Sequence, residues 1–407
     1  MTSPSTRQSV PASAWIEVDL GALTDNARAL RTAIGPAVGL GILVKANGYG
    51  HGLEMSARAA HAGSADALIV ATLDEGLALR RAGIDGRIIV VYPVPRAGVG
   101  DAVAANIELS VSGVLSARET LEGWRAAMGR IRDGTLRLHV EIDSGMGRGG
   151  VPPEGLAELL GLADSSERTT IVGAWSHLAD GSDVAASAEQ AARFEAALAA
   201  LAHTGPLPER HLVASEGLLA ATAPVHDLVR IGLAFYGELG IGFVPGEAAA
   251  AAARAIRPAL TLKARPVRIE ALPRGARVGY GGEWQAERAS IIGTLPIGYA
   301  DGWPRVSWPG SEALVRGRRV PLVGRVSMDS VCVDMTDAGD VTLDDELVLL
   351  GAQGSDRITI NEVAERRGTI PNEVLASLGP RLARRYLDGG REVAVADRPE
   401  RVVRLDS

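Results

Sequence analysis

At 407 residues the chain is longer than a single hydrophobic core usually extends, so two domains are expected, most simply a barrel with an appendage. With 46% hydrophobic and 22% charged residues it has the composition of a soluble globular protein, which excludes disordered and collagen-like chains. A formal net charge of −7, with Arg and Lys dispersed, argues against nucleic acid or an anionic membrane as partner and favours small-molecule work.

In chain order, residues 1–13 are polar and lack the roughly 7–15-residue apolar core of a secretory signal, so they read as a flexible tail. No uncharged apolar stretch elsewhere is long enough to cross a bilayer. The only cysteine, Cys332, cannot form an intramolecular disulfide; it suits a reducing, cytoplasmic setting and reads as a small buried hydrophobe.

From residue 14 to about 250, short β-rich apolar runs alternate with Ala/Leu-rich amphipathic segments. The runs are Gly41 to Val44, Ala67 to Thr72, Arg87 to Val91, Ile107 to Val111, Leu136 to Ile142, Thr170 to Trp175, His211 to Ala214 and Leu228 to Leu233. Eight such runs with helices between them predict an α/β fold built as a TIM-like (β/α)8 barrel. Phe194, Ala197, Leu198 and Leu201 mark one face of a helix, and Asp74 and Glu75 open another that closes with Arg80, Arg81 and Gly83. The alanine-rich piece Glu247 to Ile256 is a short helix or a connector. From about 255 to 407 the texture changes: Ala259 to Ile269, Ser290 to Leu295 and Arg325 to Met335, punctuated by Pro and Gly, predict a mainly antiparallel β domain.

A barrel of this kind does its chemistry at the C-terminal ends of its strands. The first run ends at Lys45 and passes into Ala46-Asn47-Gly48-Tyr49-Gly50-His51-Gly52. An amine placed where a strand gives way to a glycine-rich loop can hold an aldehyde cofactor as a Schiff base, and the adjoining tyrosine and glycines can approach a phosphate, which points to pyridoxal 5′-phosphate (PLP). The loops after the seventh and eighth runs are the usual phosphate seat, and Ser215, Gly232 and Leu233 stand there, with Tyr49 on the neighbouring side. Asp143 to Arg148 follows the fifth run, Ser176-His177 the sixth, and Arg230 lies on the eighth.

Each residue has a plainer reading when taken singly. Lys45 could be a solvent-facing strand end, Tyr299 a buried aromatic, Arg148 and Arg230 ordinary ion-pair partners, and Met328 and Asp329 the end of a strand. His177 alone reads as a structural histidine, and His51, His61, His139, His203, His211 and His226 stay in that class. No histidine spacing resembles a metal site, and no metal is expected.

Taken together, Val44 to Gly52, Asp143 to Arg148, Ser176-His177, Val229 to Gly232, Gly298-Tyr299-Ala300-Asp301-Gly302 and Gly324 to Asp329 resemble the alanine racemase family, over roughly Ala14 to Tyr386. The resemblance implies that Lys45 carries PLP and acts as base on one face of the substrate Cα, with Tyr299 on the opposite face, donated by the partner subunit of a homodimer with shared sites. It implies that Arg230 faces the pyridine nitrogen, His177 stacks on the ring or orients Arg230, and Arg148 bonds the cofactor's phenolic oxygen near the substrate. Met328 is implied to offer its backbone N–H to the substrate carboxylate. Because an arginine is essentially always protonated, the facing nitrogen is expected to stay unprotonated and the ring to be a weaker electron sink.

Three positions depart from the family pattern. Seven residues before Arg148, where many members carry a lysine that becomes carbamylated, stands Glu141, expected to pair with Arg148 as a built-in carboxylate. The family's Tyr-Glu-Val is Asn372-Glu373-Val374, expected to widen the substrate pocket, and its Asn-Ser after the seventh run is Ala214-Ser215. The expected activity is thus interconversion of L- and D-alanine, with serine or another larger amino acid as the alternative substrate. A PLP-dependent decarboxylase is disfavoured by Arg230, since decarboxylation benefits from a protonated ring nitrogen. A non-catalytic PLP-binding barrel is disfavoured by the added β domain and the Tyr299 motif.

Overall fold

The computed structural model describes residues 12–201, 208–398 and 401–404. Residues 1–11 of the expected tail and His203 lie outside the described residues. The chain forms two compact units, one made of Ala22–Tyr49 and Leu53–Arg257, the other of the chain up to Gly21, Gly50–Gly52 and the chain from Pro258 onward.

Strand β1 (Ala14–Asp19) precedes the barrel strands, which are β2 (Gly39–Leu43), β3 (Ala67–Val70), β4 (Arg87–Val90), β5 (Glu108–Val111), β6 (Leu136–Glu141), β7 (Thr169–Trp175), β8 (Glu209–His211) and β9 (Leu228–Ile231). β2 to β9 form one parallel sheet in the order β8-β7-β6-β5-β4-β3-β2-β9, so seven of the expected runs coincide with strands of the first unit, while the run expected at His211 to Ala214 shares only His211 with β8. The ring draws together where Ala214 bridges Arg230 and the Arg230 N–H donates to the Val213 carbonyl at 3.1 Å. Ala67–Val70 is buried along its whole length because helices cover the sheet, which is why these runs read as continuous apolar stretches without alternation.

The intervening helices follow their sequence signals. Helix Leu73–Arg81 is opened by a capping box in which Thr72 accepts from the Glu75 N–H and Glu75 reaches back to the Thr72 N–H. Helix Val184–Leu201 buries Phe194, Ala197 and Leu198 on one face. The alanine-rich piece is a short helix, Ala250–Ala255, entered by one 3-10 turn.

β1 is a correction to the range 14–250. It belongs to the second unit's sheet, pairing antiparallel with β10 (Leu260–Ala264) and parallel with strand Ala383–Asp388. Its side chains account for this: Trp15, Ile16 and Val18 are fully buried there, the Trp15 ring lies under the guanidinium groups of Arg265 and Arg385, and Glu17 meets Lys263 at 2.9 Å. The expected strand Ala259 to Ile269 breaks into β10 and Arg268–Leu272, with Pro266 between them, which has no N–H for a ladder. The expected strand Arg325 to Met335 shortens to Val331–Asp334, because Ser327 and Ser330 close a hydrogen-bonded turn just before it. Cys332 on that strand is partly rather than fully buried, 3.9 Å from the Thr294 hydroxyl.

Candidate active site

Lys45 stands at the C-terminal end of β2, and the chain then makes a left-handed turn: Ala46, Asn47, Gly48 and Tyr49 all have φ between 48° and 61°. Left-handed backbone at a residue other than glycine costs about 1–2 kcal/mol, so several in succession must be held by their surroundings. The Ala46 N–H donates to the Glu75 carboxylate at 2.7 Å, the Asn47 side chain accepts from the Leu53 N–H at 3.0 Å, and the Gly48 N–H donates to the Val44 carbonyl at 2.8 Å. A Cβ on Gly48 would lie 2.5 Å from the Ser56 hydroxyl oxygen, so glycine is required there for space as well as for φ. Burial lowers the Lys45 ammonium from its ordinary range, the charges of Arg148 and Arg230 lower it further, and Glu75 opposes them. That direction favours the neutral amine, the form that can act as nucleophile or base.

Ser215, Gly232 and Leu233 come together beside Tyr49. The Ser215 hydroxyl oxygen accepts from the Gly232 N–H at 3.1 Å and the Ala234 N–H at 3.4 Å. The Tyr49 ring stacks on Tyr236 with centroids 4.9 Å apart, and Tyr236 donates to the Leu43 carbonyl at 2.9 Å, tying this corner to the strand that bears Lys45. Gly232 keeps the corner open, since a Cβ there would sit 2.7 Å from the Tyr49 hydroxyl oxygen.

Arg230 is 3% exposed and donates to the carbonyls of His211 (2.7 Å), Ser176 (2.6 Å) and Leu212 (3.2 Å), and to the ring nitrogens His211 Nδ1 (3.1 Å) and His177 Nδ1 (3.2 Å). Its Cζ lies 4.9 Å from the Trp175 ring centroid. Among the described residues it makes no ion pair; burial pushes its pKa down to about 9, Arg148 adds to the depression and Glu141 opposes it through space. The guanidinium therefore remains charged at neutral pH. Burial and the charges of Arg230, Arg148 and Lys45 push the His177 imidazole down to about 3, so it is neutral and accepts from Arg230.

Arg148 is exposed on the loop after β6, and Glu141 is buried. The two form no ion pair among the described residues, which corrects the expected direct contact. The Gly149 backbone lies against the Glu141 carboxylate, where an added Cβ would be 3.1 Å from Oε2, and burial raises the Glu141 carboxyl even though Arg148 and Arg230 pull it down.

In the second unit, Tyr299 and Met328 lie side by side. The Tyr299 N–H donates to the Ser327 carbonyl and the Ala300 N–H to the Met328 carbonyl, at 3.1 and 3.0 Å. Gly298 permits this approach, because a Cβ on it would be 2.3 Å from the Ser327 carbonyl oxygen. Both side chains are exposed, Tyr299 by 41% and Met328 by 52%.

Residues 18–240 match the alanine racemase N-terminal domain and residues 259–386 the alanine racemase C-terminal domain. The chain belongs to the alanine racemase family. An alanine racemase of Symbiobacterium thermophilum is 37% identical over 376 residues, 91% of this chain and 96% of the relative. The crystal structure of alanine racemase from Bacillus anthracis with bound L-Ala-P superposes with a TM-score of 0.87 at 31% identity, covering 96% of this chain and 98% of that one. Alanine racemase from Bartonella henselae with covalently bound pyridoxal phosphate superposes with a TM-score of 0.78 at 27% identity, covering 93% and 100%. This family member is accordingly an isomerase, an amino acid racemase.

Three supporting groups of the racemase were not singled out by sequence reading. Glu75 was legible as a helix opener, but its hold on the Ala46 N–H links residues 29 apart and leaves no local signal. Asp301 caps Gly298 and is buried against Arg381, which also reaches Asp329, so the Tyr299 turn is clamped from behind. His211, assigned to the structural class, touches Arg230. One quantitative expectation arises at the corner of Ser215, Gly232 and Tyr49, where a phosphate is expected. Gly232→Ala should weaken PLP binding by about tenfold or more, corresponding to about 1.4 kcal/mol, because its methyl group meets the Tyr49 hydroxyl. Titration of the apoprotein with PLP measures this, and unchanged affinity would show that the corner does not hold the phosphate.

Proposed function

We propose that this racemase interconverts L- and D-alanine with PLP as cofactor, acting as a homodimer in which Lys45 and Tyr299 of the partner subunit are the two bases. The observation that carries the reading is the gathering, at the C-terminal end of one barrel, of a lysine with a depressed pKa, a charged arginine that makes no ion pair among the described residues, and a serine and glycine corner kept free of side-chain bulk. These groups fit PLP in chemistry: Lys45 for its aldehyde, Arg230 for its ring nitrogen, Arg148 for its phenolic oxygen, His177 for its ring, and Ser215, Gly232, Leu233 and Tyr49 for its phosphate.

When bound, PLP supplies an electron sink that acidifies the substrate Cα–H. Racemisation then needs one proton removed from one face of Cα and one returned on the other. Lys45 serves the first face with its amine, and the Tyr299 phenol serves the second. Arg230 can donate but not accept, so it leaves the facing ring nitrogen unprotonated and restrains the sink, which disfavours side reactions. The Met328 N–H is assigned to the substrate carboxylate. Exposure of Tyr299 and Met328 on one patch of the chain supports their donation to a second copy.

The test is incubation of the purified protein and PLP with a panel of L-amino acids, followed by chiral chromatography. Conversion of L-alanine to D-alanine is expected, with measurable turnover of serine or another larger residue, because Asn372 replaces a tyrosine of the family pattern. Loss of substrate without its enantiomer would indicate a decarboxylase, and no turnover a binding protein. Turnover of alanine alone would overturn the assignment of a wider pocket to Asn372.

A further inference from the structure

Inside the barrel unit a file of polar side chains starts at Arg230 and runs away from the candidate site. Arg230 Nη1 is 3.1 Å from His211 Nδ1, His211 Nε2 is 3.0 Å from His139 Nδ1, and His139 Nε2 is 2.7 Å from Glu108 Oε2. Beyond it, Arg87 Nε donates to the same Glu108 oxygen at 2.8 Å and its Nη1 to Glu209 at 2.8 Å, while Arg137 lies 3.3 Å from Glu108 without hydrogen-bond geometry. Arg230, His211, His139 and Glu108 are all buried, and they come from β9, β8, β6 and β5. Glu108 and Arg87 open their strands, whereas Arg230 stands near the end of its own, so the file passes from the C-terminal side of the barrel to the N-terminal side. Barrel interiors are normally filled by layers of branched apolar side chains, so a polar file needs a reason. Space has been kept for it: a Cβ on Gly173 of β7 would lie 2.0 Å from His139 Nδ1.

The direction of every bond follows from its first member. A guanidinium only donates, so His211 Nδ1 must accept and its proton must sit on Nε2. That proton points at His139 Nδ1, which must accept in turn, leaving the His139 proton on Nε2 facing Glu108. If His139 were an imidazolium, its Nδ1–H would force His211 to accept on Nε2 and to carry its own proton on Nδ1 towards Arg230, setting donor against donor. Both rings are therefore neutral, and their dipoles align between a cation and an anion. Burial and the Arg230 charge hold the His211 imidazole well below its ordinary range, in the same sense.

We propose that Glu108, acting through His139 and His211, is the remote counter-charge that fixes the Arg230 guanidinium, so that these three are positioning residues for the group assigned to the cofactor's ring nitrogen. The inference rests on the PLP reading of Arg230 given above. It explains how a buried arginine with no carboxylate in contact among the described residues is retained: isolated buried charge is strongly unfavourable, and aligned hydrogen bonds in a low-dielectric interior transmit compensation.

Nitrogen-15 NMR of the full-length protein tests it, first without PLP. Both His139 and His211 are expected as neutral rings with the proton on Nε2, as the bond directions along the file require. Glu108→Gln keeps an acceptor for His139 but removes the charge. With PLP bound, it is expected to keep the fold, shift the visible absorbance band, and raise the ratio of transamination to racemisation by about tenfold, as loss of a coupled charge would. A Glu108→Asp variant should return the ratio towards that of the parent protein. An imidazolium or an Nδ1-protonated ring in the parent protein would overturn the proposal. So would a folded Glu108→Gln whose band and product ratio match the parent. If Glu108→Gln does not fold, the ring protonation in the parent still decides. A parent protein that binds no PLP would instead defeat the reading of Arg230, and the ring protonation would then decide the polarity of the file on its own.

Discussion

Lys45→Ala is expected to abolish racemisation and, in the same protein, to remove the visible absorbance of tightly bound PLP. Two losses coincide because the proposed mechanism gives one amine two tasks. As the cofactor's anchor it supplies attachment that survives dilution; as a base it accounts for about 10²–10⁴-fold of rate. The substitution should leave folding nearly intact. Lys45 is only partly buried and makes no side-chain ion pair among the described residues, and its left-handed turn is held by main-chain groups with Glu75, Asn47 and Val44. Removing a partly desolvated ammonium also relieves repulsion from Arg148 and Arg230, so the unfolding midpoint of the apoprotein should be unchanged or slightly higher. Spectrophotometry of gel-filtered protein, a coupled assay for D-alanine and a thermal melt give the three readouts. A variant that kept both activity and absorbance would remove Lys45 from the chemistry.

Linear periodicity and local motifs explain which parts of this molecule were legible in its sequence. Barrel strands such as Ala67–Val70 are buried along their whole length and so announce themselves as apolar runs, and Lys45, Ser215 and Arg230 follow from their places at the ends of the expected runs. β1 carries the same signature, but its partners in the sheet, Leu260–Ala264 and Ala383–Asp388, are remote in the chain, so nothing local separates it from the barrel strands. The Ser327 to Ser330 turn looks like strand because Val326 and Val331 flank it. Glu141 shows a different limit. Its type and spacing suggest a contact with Arg148, while the fold buries the carboxylate against Gly149 and leaves Arg148 exposed. The file from Arg230 to Glu108 is hidden for a related reason: its four members are contributed by four strands and share no spacing.

Tyr299→Phe is expected to cut racemisation by about 10²–10⁴-fold while leaving PLP binding and its absorbance intact, because only the phenolic oxygen is lost from the second face. Tyr299 is 41% exposed, so the change should alter stability by less than about 0.5 kcal/mol, and lost activity cannot be assigned to unfolding. The two-base arrangement makes a sharper demand on proton exchange. In deuterated water the variant should still exchange the α-hydrogen of one alanine enantiomer, the one presented to Lys45, and should fail with the other; equal exchange of both would refute the division of faces. The composite site can be tested by mixing the two inactive variants. If Tyr299 serves the partner subunit, a dimer of one Lys45→Ala chain and one Tyr299→Phe chain has one site lacking both groups and one site with both intact. Random reassortment places half of the chains in such mixed dimers, so activity should recover to about a quarter of the parent value. Were each chain to use its own tyrosine, no site in any mixture would hold both bases, and activity would stay at the level of the separate variants.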